Sequence, residues 1–188
     1  MEEKQQPKQK KKKEEEPQTL SQSLFGWLQA VVPVIIGIIL VFTFVGRLTP
    51  VDGDSMNPTL HHGDMLVVAG LGYIPKNGDI IVLTKYFEDV QGPIVKRVIA
   101  VGGQTVQIDY EAGTVTVDGQ VVDESYIKEP MIRQSWQRID TITVPEGSVF
   151  VMGDNRNISN DSRNPALGTV DVRYILGEVV GTLPSLGA

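Results

Sequence analysis

Val115-Thr116-Val117-Asp118-Gly119-Gln120-Val121-Val122 is the stretch that decides the fold. Apolar residues alternate on either side of Asp-Gly, a dipeptide that tolerates the positive φ angles of a two-residue hairpin turn. The same strand grammar recurs along the chain. Met65-Leu66-Val67-Val68, Ile80-Ile81-Val82-Leu83, Ile94 to Val101 and Val149-Phe150-Val151-Met152 are short apolar runs bounded by turn residues. No long segment after Arg47 has helical periodicity, and 19 glycines and 11 prolines supply many turns. The expectation is a mostly β domain over residues 47–188. The segment from about 104 to 140 is more acidic and hairpin-like, and reads as a smaller β insertion.

Upstream the chain changes character. Residues 1–23 are Lys, Glu, Gln, Pro and Ser with little to bury, and read as a disordered tail. No charge occurs between Glu16 and Arg47, and Leu24 to Gly46 is apolar. At about 1.5 Å per residue this run is long enough to cross a bilayer as one helix with some tilt. It exceeds the apolar core of a cleavable leader, and no Ala-x-Ala-like site follows it. Pro33 is tolerated in a membrane helix, and Trp27 suits an interface. Six lysines lie in the first thirteen residues, whereas only Arg47 follows the span closely. The positive-inside rule then places the N-terminus in the cytoplasm and the β domain on the extracytoplasmic side of a single-pass cell-membrane protein.

Composition excludes several functions. With 17 Lys+Arg against 23 Asp+Glu the net charge is -6, which does not fit a nucleic-acid binder. The absence of cysteine removes disulfides and thiolate catalysis.

Serine chemistry remains, and a serine hydroxyl needs a base. The two histidines, His61 and His62, are adjacent, so on a strand at most one could share a cleft with Ser55. A lysine serves if it is neutral. At its reference pKa only about one lysine in a few thousand is neutral at pH 7, but apolar burial depresses that pKa. Lys96 lies among Ile94, Val95, Val98 and Ile99, with Arg97 directed to the opposite face of a strand. Taken alone, this run fits a surface lysine on a strand better than a buried base.

The order of motifs shifts that balance. Gly53-Asp54-Ser55-Met56-Asn57-Pro58-Thr59-Leu60 resembles the serine motif of the bacterial type I signal (leader) peptidases. Gly78-Asp79-Ile80-Ile81-Val82 resembles their strand motif and Lys96-Arg97-Val98-Ile99 their lysine motif. The run from Gly153-Asp154-Asn155-Arg156 to Ser159-Asn160-Asp161-Ser162-Arg163 resembles their C-terminal motif. The resemblance covers about residues 20–182, and it is to the short single-anchor form. It implies a signal-peptidase-like β catalytic domain with a smaller β insertion behind one transmembrane helix. Ser55 would be the nucleophile and Lys96 the general base. Ser159 would orient the lysine amine, and Asp161 and Arg163 would shape the cleft. Met56, Leu60, Val82, Ile94 and Val95 would line pockets for small side chains. The activity implied is removal of signal peptides from exported preproteins after Ala-x-Ala, with no cofactor or metal. The partners implied are those signal peptides and the lipid bilayer.

Three departures stand out. Gly53 replaces a hydroxyl residue that helps form the oxyanion hole in some members, leaving the Ser55 N–H as donor. Gln104 replaces an aspartate. The loop after Arg163, Asn164-Pro165-Ala166-Leu167-Gly168, is two residues longer than the commonest form.

Other motifs point nowhere. Ser125-Tyr126-Ile127-Lys128 has the S-x-x-K spacing of penicillin-binding enzymes without their partner motifs, and reads as a surface turn. Asn157-Ile158-Ser159 and Asn160-Asp161-Ser162 match the glycosylation sequon, but a glycan there would obstruct the expected cleft. Ligand and glycine spacing around Asp154 is wrong for a calcium loop. Two rival functions stay open: a self-cleaving Ser/Lys protease of the repressor type, and a membrane-tethered β module that binds exported chains without cutting them.

Overall fold

A computed structural model of the protein describes residues 20–44, 46–85 and 92–184. The expected tail up to residue 19 lies outside the described residues.

Helix α1 runs over Leu20–Phe44 with Pro33 inside it, beginning four residues before the apolar span read from the sequence. Between residues 26 and 39 the described side chains are exposed or half-exposed, including Trp27, Val34, Ile35 and Ile39. Among the described residues, no helix is long and apolar enough to cross a membrane. The side chains of Leu24, Phe25 and residues 40–45 of the expected span lie outside the described set.

The rest of the chain is β, as its alternation requires. Its strands are β1 (Arg47–Pro50), β2 (Met65–Ala69), β3 (Ile80–Leu83), β4 (Ile94–Val101), β5 (Thr105–Asp109), β6 (Thr114–Val117), β7 (Gln120–Val121), β8 (Thr141–Thr143), β9 (Ser148–Met152), β10 (Val170–Asp171) and β11 (Ile175–Leu183). Seven of them form one antiparallel sheet in the order β1-β2-β11-β3-β4-β9-β10. The other four form a smaller sheet, β7-β6-β5-β8. The Asp118-Gly119 hairpin is as read: Val117 pairs with Gln120, and both turn residues have positive φ, 53° and 78°. That is the geometry of a type I′ turn.

Strand composition sorts with burial. In β5 and β6 buried and outward residues alternate, the mark of a sheet with one wet face. In β3 and β9 nearly every residue is buried, because layers cover both faces. In β4 the register against β9 shifts between Val98 and Ala100, a bulge that lets Val98, Ile99 and Ala100 all be buried.

Three apolar clusters hold the domain. One joins Ile99, Phe150 and Met152 of the large sheet to Val106, Ile108, Val115 and Val117 of the small one. A second packs Ile81, Leu83, Val98, Val149 and Val151 against Leu167 and Val170. The third contains Met56, Leu60, Leu66, Val68, Val82 and Val95. Each side chain so buried stabilises the fold by roughly 1.5–3 kcal/mol before entropy is charged against it. This third cluster anchors the Ser55 loop to β2, β3 and β4.

Candidate active site

Ser55 opens a tight turn that closes through the Thr59 and Leu60 N–H groups donating to Met56 O at 2.9 and 3.0 Å. Met56 and Leu60 point inward from that turn and are buried, which fixes the loop on the sheet. Gly53, just before it, has φ +89° and permits the sharp entry. Nothing lies within 4 Å of where a Gly53 Cβ would stand, so the space beside Ser55 is open there.

Lys96 comes from the middle of β4, opposite Ile81 of β3. It is 4% exposed, so the structure makes it a buried residue rather than a surface one. Its Nζ lies 2.8 Å from Ser55 Oγ and donates to Val95 O at 3.0 Å. A contact of 2.8 Å serves either a charged amine donating to Oγ or the Oγ–H donating to a neutral amine. Burial lowers the Lys96 pKa to about 8. Asp161 opposes that shift, Arg163 adds to it, and Asp154 opposes it.

Neither neighbouring carboxylate is free to pair with the amine. Asp161 accepts from Arg163 Nε and Nη2, both at 2.8 Å, and from the Gly153 N–H at 3.0 Å. Although burial alone would raise its pKa, Arg163 and these hydrogen bonds hold the carboxyl below its ordinary range. Asp154 is fully buried and receives Arg97 through Nε at 2.8 Å and Nη2 at 2.6 Å, together with the Thr59 hydroxyl. Arg97 also lies over the Tyr126 ring, 4.1 Å from its centroid. Arg156 is buried too, bonded to Glu124 and donating to Gly153 O at 3.1 Å.

Ser159 is fully buried, and its hydroxyl has no partner of good hydrogen-bond geometry, though it lies close enough to Asp161 to help keep that carboxylate ionised. No hydrogen bond from it to Lys96 is present. It packs on Gly153, where a Cβ would collide with the Ser159 hydroxyl and the Ser55 carbonyl. Glycine is required by that three-way approach.

Of the five apolar residues expected around the pocket, Met56, Leu60, Val82 and Val95 share one cluster. Ile94 does not join them. Strand alternation turns it to the other face of β4, where it packs with the cluster of Ile81 and Leu83.

His61 and His62 lie in the turn before β2 rather than on a strand. His62 Nδ1 accepts from the Gly53 N–H at 3.1 Å, and His61 faces Asp64. Neither meets Ser55. Gln104 spans a turn instead of reaching the site: it accepts from Val101 N–H and donates to Asp118. The longer loop after Arg163 closes on itself, with Asn164 O accepting from the Leu167 and Gly168 N–H groups and Leu167 buried. Asn157 donates to Pro130 O and accepts from Ile132 N–H, so its amide is engaged.

Sequence reasoning does not foresee the Arg97–Asp154–Thr59 bridge or the Glu124–Arg156 and Tyr126–Arg97 contacts. Arg97, Asp154 and Thr59 each lie within a motif quoted above, but nothing local says that they meet. Lys128 and Tyr126, from the S-x-x-K decoy, sit beside this network: Lys128 N–H donates to Asp154 O at 3.1 Å.

Residues 24–183 match the family model of signal peptidase, peptidase S26. A probable signal peptidase I-1 of Synechocystis sp. is 43% identical over 140 residues, covering 70% of this chain and 68% of that protein. The signal peptidase I of Bacillus licheniformis is 36% identical over 166 residues, covering 82% and 86%. A crystal structure of a signal peptidase I from Enterococcus faecalis aligns at 27% identity with a TM-score of 0.46, covering 57% of this chain and 98% of that one. The chain belongs to the signal peptidase family, peptidase S26, and is a serine peptidase.

Proposed function

We propose that this protein is a membrane-anchored endopeptidase that removes signal peptides from exported preproteins with a Ser55/Lys96 dyad. The observation that carries the reading is the 2.8 Å contact between Ser55 Oγ and the buried Nζ of Lys96. With its pKa at about 8, roughly one lysine in ten is neutral at pH 7, about two hundred times more than for a free side chain.

In the forward step neutral Nζ takes the Ser55 proton while Oγ attacks the scissile carbonyl. Lys96 then gives that proton to the departing amine, leaving an acyl-serine that water hydrolyses with Lys96 again as base. The developing oxyanion is received by the Ser55 N–H, since Gly53 brings no hydroxyl. Ser159 is the residue we assign to orienting the lysine amine. Its buried hydroxyl has no hydrogen-bond partner of good geometry, so its donor and acceptor capacity is left for the amine. Asp161 and Arg163 neutralise each other, hold the 153–163 loop and shape the cleft wall. Specificity for small residues is assigned to the wall formed by Met56, Leu60, Val82 and Val95. A bulky residue one or three positions before the cut would displace the carbonyl from attack geometry.

Anchoring is supported by α1. Between residues 26 and 39 its one polar side chain is Gln29, and Trp27, Val34, Ile35 and Ile39 are exposed, which suits a lipid surrounding better than water. The lysine-rich tail places the N-terminus in the cytoplasm and the β domain outside. Ser55 follows Gly46 by nine residues, so it stays within about 30 Å of extended chain from the bilayer surface, where a signal peptide also emerges.

The test is cleavage of a preprotein by the full chain in detergent. Ser55→Ala should abolish it, and Ala-x-Ala substrates should be cut far faster than Phe-x-Phe ones. Cleavage by Ser55→Ala, or equal rates on the two substrates, would contradict the reading.

A further inference from the structure

Asn155 does something that no catalytic assignment above uses. It is 2% exposed and grips the Ser55 loop twice. Its main-chain N–H donates to Ser55 O at 3.0 Å, and its side-chain Nδ2 donates to Asp54 O at 3.1 Å. Only the amide nitrogen can make the second bond, because Oδ1 in that place would set lone pairs against lone pairs. Oδ1 itself has no partner.

Asp54 O belongs to the same peptide group as the Ser55 nitrogen. In a planar trans peptide the C=O and N–H point in opposite directions. Drawing Asp54 O toward Asn155 therefore turns the Ser55 N–H the other way, out of the 153–163 loop. Within the described residues that N–H makes no hydrogen bond, so it is available to an incoming oxygen. Asp54 O also accepts from the Asn57 N–H, at 3.2 Å the longer of its two bonds. Because Gly53 supplies no hydroxyl, the direction of this single main-chain donor carries more weight than it would in a hole with two donors.

We infer that Asn155 is a positioning residue that aims the Ser55 N–H at the oxygen of the scissile carbonyl and so builds the oxyanion hole. The inference rests on Ser55 being the nucleophile. It predicts a loss confined to the chemical step: the peptide still binds, Lys96 still titrates as before, and only the charged oxygen is held less well.

The test uses the full chain in detergent with Asn155→Leu, which keeps shape but removes the donor, and Asn155→Ser, whose hydroxyl is too short to reach. Thermal melting identifies the folded variants, and Asn155→Ser carries the measurement if Asn155→Leu does not fold. In a folded variant kcat on a preprotein should fall about 10- to 100-fold, with KM within about threefold. Inhibition by a signal-sequence peptide aldehyde, whose serine adduct places an oxygen in the hole, should weaken by a similar factor. Binding of the same peptide with its scissile carbonyl reduced to methylene should not change, nor should the midpoint of the pH–rate profile. A folded variant with unchanged kcat overturns the inference. So does an equal loss of affinity for both peptides, or a moved pH midpoint, which would mean that Asn155 acts through Lys96. Ser55→Ala runs alongside: residual cleavage there sinks the dyad itself, whereas an inactive Ser55→Ala beside a fully active Asn155 variant sinks only this inference.

Discussion

Lys96 in the middle of β4 and Arg163 in the 153–163 loop are both buried cations, at 4% and 0% exposure, and their chemistry is opposite. Arg163 has a carboxylate of its own, Asp161, held through two 2.8 Å bonds, and its pKa is raised. Lys96 has a hydroxyl and a main-chain carbonyl, and its pKa falls to about 8. Burial penalises both charges. What decides protonation is whether a counter-charge makes direct contact. Asp161 lies close enough to Lys96 to oppose the shift, yet Arg163 engages both its oxygens. The structural ion pair thus helps leave the Lys96 amine without a counter-charge of its own.

The comparison breaks most sharply if the lysine is made like the arginine. Lys96→Arg should lower turnover by about 10³-fold or more, because guanidinium keeps its proton throughout the working range. Single-turnover cleavage of a preprotein measures this, and substantial activity in the variant would remove lysine from the mechanism.

Making the arginine like the lysine should cost the fold. Asp161→Asn leaves Arg163 buried without a counter-charge, and urea unfolding should show about 3–5 kcal/mol lost. The same variant removes an attraction that raises the Lys96 pKa, so any remaining activity should have its pH midpoint moved down.

Lys96 should also mark the stability profile. Its folded pKa is lower than its unfolded one, so between about pH 8 and 10.5 the unfolded chain binds more protons. Over that window stability should rise with pH by up to about 3 kcal/mol from this group. Lys96→Met should lack that rise. Parallel curves for the two proteins would mean that the amine is not desolvated.

The smallest expected effect belongs to Ser159→Ala. It should lower kcat about 10- to 100-fold with little change in melting temperature, since the hydroxyl makes no well-formed bond that the fold depends on. An unchanged kcat would leave Lys96 oriented by Val95 O alone.

Much of the β architecture is legible before any coordinates. The Asp118-Gly119 turn and the runs that became β2, β3, β4 and β9 declare themselves through local alternation and turn chemistry. Ile175–Leu183 does not, because two glycines interrupt it and its partners are distant, Ile175 pairing with Leu83 and Leu183 with Met65. Ser55 and Lys96 could be picked out because each lies in a motif, yet the lysine's burial could not. The local run fits a surface strand, and the groups that meet the amine, Ser55 and the Asp161 and Arg163 of the 153–163 segment, are distant in sequence. Ile94 shows the converse. A motif places it beside Val95, but adjacent residues on a strand face opposite ways, and the two end in different clusters. The bridges from Asp154 to Arg97 and Thr59 were illegible because they join residues far apart in the chain through side chains alone.

Whether a neutral Lys96 activates Ser55 is read from the pH dependence of kcat/KM for preprotein cleavage, with Ser55→Ala as the blank. The amine must lose its proton before it can take one, so the rate should rise with pH through a midpoint of about 8 and then level off. A midpoint near that of free lysine, one near that of histidine, or a flat profile across this range would contradict the account.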